Sequence, residues 1–110
     1  MLRKVSSALL LMALAGCTTV TSSQYAVLRE ELRTDPQARR QVVDACRRDF
    51  ERSPPAERQN LAALAGVSAA RAPAVVCTRI FRAIANGRIS YEEFNASRGD
   101  YSKWIEVIRG

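Results

Sequence analysis

The sequence predicts an all-α chain, a single small domain of about five to six short helices stapled by one disulfide. Three observations carry that expectation. Apolar residues recur at three- and four-residue intervals in every periodic segment, as on one face of a helix. Proline and glycine fall where helices start and stop. No stretch of useful length alternates apolar and polar residues as a half-buried strand does, and no internal repeat is present.

In chain order, Gln24 to Arg33 places Tyr25, Leu28 and Leu32 on one stripe. Asp35-Pro36 pairs an N-cap with proline at the first helical position and opens a helix to about Arg52. There Ala38, Val42, Cys46 and Phe50 recur every fourth residue, with Val43 beside them. Ser53-Pro54-Pro55 closes that helix and caps the next, which carries Leu61, Leu64 and Ala65 and ends at Gly66. Pro73 starts a fourth helix whose apolar face is Val76, Cys77, Ile80, Phe81 and Ile84. Asn86-Gly87 ends it in a left-handed cap, and Ser90 with Glu93 has the spacing of a capping box for a fifth. Gly99 stops that helix and Asp100 caps a last one, with Trp104, Ile105 and Ile108 as its buried face and Tyr101 partly exposed.

The same turn supports a second reading. Ala85-Asn86-Gly87-Arg88-Ile89-Ser90-Tyr91-Glu92-Glu93-Phe94 resembles the second half of an EF-hand calcium loop, with Gly87 at its sixth position, Asn86 at the fifth and Glu93 at the twelfth. The resemblance makes Asn86 and Glu93 candidate metal ligands. Its first half fails, because Arg82 and Ile84 stand at positions one and three, where calcium needs oxygen. The expectation is a helix–turn–helix without metal or cofactor.

Residues 1–16 are a targeting segment and not part of the fold. Arg3 and Lys4 precede the apolar run Ala8 to Ala15, far short of the roughly 20 residues a spanning helix needs. Leu14-Ala15-Gly16-Cys17 resembles the lipobox of bacterial lipoproteins. The resemblance implies a diacylglyceryl group on the Cys17 thiol, cleavage after Gly16 and acylation of the new amino terminus. Two or three acyl chains make such anchoring effectively permanent. An aspartate after the cysteine marks inner-membrane retention in enteric bacteria. Thr18 stands there instead, which favours the periplasmic face of the outer membrane. The expected layout is a signal peptide over 1–16, a lipidated cysteine and polar tether over 17–23, and one helical domain over 24–110.

Removing the first 16 of the 110 residues leaves 94, and losing Arg3 and Lys4 lowers the formal charge from +6 to +4. A domain this small often needs a staple. Export would put Cys46 and Cys77 in an oxidising compartment, and both lie on apolar helix faces, so a disulfide is expected ahead of two free buried thiols. A bridge closing about 32 residues contributes on the order of 3.5 to 4 kcal/mol in the chain-entropy model.

Fifteen of the seventeen basic residues are arginine, and Arg39, Arg40, Arg47 and Arg48 share one helix. Their forks match phosphate or carboxylate, so that face is a candidate anionic contact. Asp44, Asp49 and Glu51 are interleaved with them, however, which makes a solvated, ion-paired face the default. No reading motif or aromatic stacking set points to nucleic acid. The chain has no histidine, the commonest general base, and no serine in a nucleophile-elbow context. Catalysis is therefore not expected. Two function classes remain: a structural or protein-interaction module of the cell envelope, with the bilayer and an envelope protein as partners, or a small ligand or ion binder using the Gly87 loop or the Arg-rich face.

Overall fold

Helix boundaries in this chain are set by caps, and most of the caps are those the sequence implies. A computed structural model describes residues 20–95 and 100–110 and shows six helices among them, with no strand. They are α1 (Ser22–Thr34), α2 (Pro36–Glu51), α3 (Pro55–Ala65), α4 (Ala72–Ala85), α5 (Tyr91–Asn95) and α6 (Ser102–Arg109). Residues 1–16, expected to be a targeting segment, and Cys17 and Gly99 lie outside the described residues.

α1 begins two residues before its expected start because Thr21 and Gln24 cap each other. Thr21 Oγ1 accepts from the Gln24 N–H at 3.1 Å, and Gln24 Oε1 accepts from the Thr21 N–H at 2.9 Å. The polar stretch read as tether over 18–23 therefore joins the domain at Val20, whose side chain already packs on the core. Asp35 caps α2 as expected, its Oδ1 accepting from the Gln37 N–H at 2.9 Å, with Pro36 at the first helical position. Ser53 does not cap α3. Its hydroxyl turns back to the Asp49 carbonyl of α2, and Pro54 opens α3 with no side-chain bond.

Gly66 and Gly87 end α3 and α4 with positive φ, 72° and 75°. In each case two carbonyls of the last turn are satisfied. Val67 N–H donates to Ala62 O and Gly66 N–H to Ala63 O; Arg88 N–H donates to Ala83 O and Gly87 N–H to Ile84 O. This is the Schellman arrangement, which needs a left-handed residue and so favours glycine.

Cys46 is bonded to Cys77 with a Cα–Cα distance of 5.9 Å. The residues of α2 before Cys46 share a groove with residues of α4 after Cys77, so the two helices run antiparallel. α4 packs against α1, α2, α3 and α6, and two apolar clusters are strung along it. Its C-terminal half gives Ala83, Ile84 and Ala85 to a cluster with Tyr25, Leu32, Ile89 and Val107. Its N-terminal half gives Ala72 and Val76 to a cluster with Phe50, Ala62, Ala65 and Ile108. Ile80 borders both, and Cys77 is fully buried.

The buried face of α6 differs from the expected one. Val107 is buried and Ile105 is 38% exposed. At 100° per residue, Trp104, Val107 and Ile108 cluster within about a third of a turn, and Ile105 falls outside that arc.

Arg79 joins the ends of two helices. Its Nη1 donates to Ala65 O at 2.9 Å and to Ile108 O at 2.6 Å, placing one cation at the C-termini of α3 and α6. Replacing Arg79 by methionine keeps the stem but leaves both carbonyls without that donor. The expected loss is about 1.5 to 3 kcal/mol, by analogy with other charge-assisted hydrogen bonds. Thermal unfolding followed by circular dichroism checks it, and an unchanged midpoint would contradict the role given to Arg79.

Candidate functional site

The candidate site residues fall at two places: the turn between α4 and α5, and a groove between α2 and α4. In the turn, Ser90 N–H donates to Glu93 Oε1 at 2.9 Å and Glu93 N–H donates to Ser90 Oγ at 3.0 Å, which is the expected capping box. These bonds stabilise the ionised carboxylate. The backbone N–H of Ser90, with help from its hydroxyl, holds Glu93 below the usual glutamate range, against a smaller opposing effect of burial.

The carboxylate that an EF-hand would place on calcium is thus turned onto the first turn of α5. Asn86, the other candidate ligand, is exposed at the end of α4, and Arg82 and Ile84 stand where the first oxygen ligands would be. Ile84 is buried in the core. No group of three or more potential metal-binding side chains occurs among the described residues.

Ile89, in the same turn, is fully buried, and its carbonyl accepts from the Tyr25 hydroxyl. Burial pushes the Tyr25 phenol above its ordinary value, with Arg29 opposing. The sequence reading gave neither role, because an apolar residue in a turn carries no periodic signal.

The groove has a volume of about 560 Å3 and is lined in part by Arg39, Arg40, Asp44, Phe81, Arg82 and Asn86. Of the four arginines singled out in the sequence, Arg39 and Arg40 reach it and Arg47 and Arg48 do not. Arg39 is committed, since its Nη1 donates to Leu32 O at 2.9 Å and to Arg33 O at 3.2 Å, closing the C-terminus of α1. Arg47 faces Asp44 at 3.7 Å and Arg52 faces Asp49 at 4.0 Å, the three-residue pairs expected of a solvated face. Exposed pairs of this kind contribute little. Arg82, on α4, is a groove cation outside the α2 set, which no spacing along α2 could reveal. Arg40 and Arg82 have no ion pair among the described residues, so two guanidiniums border a groove whose floor includes Phe81.

Comparison with known proteins returns no relative: no family model, curated protein or solved structure matches the chain. No helix among the described residues is long and apolar enough to cross a membrane.

The pH dependence of the cap follows from Glu93. A carboxyl whose folded pKa is lowered stabilises the fold fully above the unfolded range, and that contribution is lost as pH falls through the folded value. Carbon-detected NMR titration should place the Glu93 midpoint below the ordinary glutamate value of about 4.3. Ser90→Ala, which keeps the backbone N–H and removes only the hydroxyl, should raise it part of the way toward that value, and added calcium should leave it unmoved. A calcium-dependent midpoint would reinstate the EF-hand reading.

Proposed function

We propose that this chain is the precursor of a lipid-anchored envelope protein. Its mature helical domain acts, on this reading, as a non-catalytic structural or protein-interaction module at the periplasmic face of the outer membrane. The observation that carries the reading is Leu14-Ala15-Gly16-Cys17 behind a basic start and an eight-residue apolar run. Two further features support it. The only disulfide among the described residues joins Cys46 to Cys77, consistent with an oxidising compartment and leaving Cys17 outside the bridge. Val20, three residues after Cys17, is already hydrogen-bonded to α5 and packed on the first cluster, so a lipid on Cys17 would hold the domain against a membrane.

A second reading rests on the α2–α4 groove. Arg40 and Arg82, beside the pinned Arg39, offer two charges to a carboxylate or phosphate, which would make the domain a small anionic-ligand binder. The interaction module remains the preferred reading, because the groove is open and Asp44 on its wall offsets part of its charge.

Metabolic labelling with a radioactive fatty acid tests the anchor. Wild type should take up label and fractionate with outer membranes, whereas Cys17→Ala should lose the label and accumulate as uncleaved or mislocalised precursor. Crosslinking in intact cells should recover a defined envelope protein with the wild-type chain. Normal processing of Cys17→Ala would refute the anchor, and the absence of any specific crosslinked protein would refute the interaction module.

A further inference from the structure

The entry of the chain into the domain is locked, and the lock determines which end of the domain lies next to whatever holds residue 17. The Val20 carbonyl accepts two side-chain hydrogen bonds from α5, from Tyr91 Oη at 2.8 Å and from Asn95 Nδ2 at 2.9 Å. The Val20 side chain packs on the first core cluster. Three residues span at most about 11 Å whatever their conformation, so the Cα of Cys17 cannot lie farther than that from the Cα of Val20.

The same end of the domain is built on packed rings, of which Tyr25 is buried and Phe94 and Trp104 are half-buried. Tyr25 lies 4.9 Å from Phe94 between ring centroids, and Phe94 lies 6.2 Å from Trp104, whose Nε1 donates to the Glu93 carbonyl. The first turn of α6 is thereby fixed beside α5, and Tyr101, which precedes that turn, is 52% exposed. An aromatic ring with a polar tip suits the headgroup layer of a bilayer. The far end is α3, which packs on the start of α4 in the second cluster. α4 separates the two ends by about 20 Å, the length of its 14 residues at 1.5 Å each.

We propose that the α1–α5 junction, with the first turn of α6, is a lipid-facing surface held on the bilayer by Cys17, and that α3 is the membrane-distal end. The inference rests on the lipoprotein reading above. The partner is the headgroup layer of the anchoring leaflet itself. Glu92, Glu93, Asp100 and Lys103 lie together at this end, so the contact is proposed on the short tether and not on attraction to anionic lipid.

Trp104 is the single tryptophan of the chain and sits at the proposed surface, so it reports the orientation directly. The mature protein, purified from membranes and reconstituted in phosphatidylcholine vesicles with a nitroxide on the headgroup, should lose much of its tryptophan emission. A Trp104→Phe chain carrying Leu61→Trp on α3 should keep most of its emission in the same vesicles. A flexible Gly/Ser insertion of ten residues after Thr18, with a mean reach of about 17 Å, should remove the difference between the two reporters. A lipidated chain in which both reporters are quenched equally without the insertion would overturn the orientation while leaving the anchor intact. A difference that survives the insertion would overturn the short tether as its cause. A chain recovered without lipid on Cys17 would overturn the anchor reading and the surface together.

Discussion

The Cys46–Cys77 bridge fixes α2 to α4, and α4 is the helix on which α1, α3 and α6 also pack. The dependence has a simple origin. A chain of this size buries too little apolar surface for one large core, and here the burial is divided between two small clusters at opposite ends of α4. Cys77 lies between them with no exposed surface, so its bond to Cys46 limits the unfolded ensemble at the place where the clusters meet. The register of α2 on α4, and with it the groove between Arg40 and Arg82, follows from that bond.

Arginine does two kinds of work in the fold. Arg39 closes α1, and Arg79 closes α3 and α6 at once, each by giving guanidinium N–H groups to carbonyls that a helix end leaves without partners. Arg47 and Arg52 instead pair with acids one turn back on the surface of α2. A basic composition in a small helical protein thus need not indicate an anionic partner. Of the groove arginines, Arg39 is spent on the α1 carbonyls, whereas Arg40 and Arg82 have neither an ion pair nor a side-chain hydrogen bond among the described residues, and this narrows the candidate anionic contact from a whole helix face to one pair of side chains.

Most helix ends were legible in the sequence because caps are local chemistry. Asp35-Pro36, Asn86-Gly87 and the Ser90–Glu93 box depend on residues at most three apart, and each forms as read. The long-range devices were not legible. Tyr91 and Asn95 reach Val20 across more than seventy residues, and Arg79 meets Ile108 across 29. No periodicity marks such partners. Ile105 and Val107 were exchanged because eight residues of α6 define an apolar arc poorly until the aromatic stack on Phe94 fixes its rotation. The EF-hand likeness arose because a calcium loop and a capped helix–turn–helix both call for a left-handed glycine and a glutamate six residues later. In this chain the glutamate is bonded to its own helix terminus.

Cys46 and Cys77 serve the fold, and on the lipoprotein reading proposed above Cys17 serves location. Intact mass of the protein extracted from membranes, with and without reduction before alkylation, tests that division most directly. The account predicts a chain beginning at Cys17, heavier than its polypeptide by a diacylglyceryl group and an amino-terminal acyl chain, unreactive to alkylation until reduced and then taking two alkyl groups. An unmodified polypeptide mass, or alkylation without reduction, would contradict it.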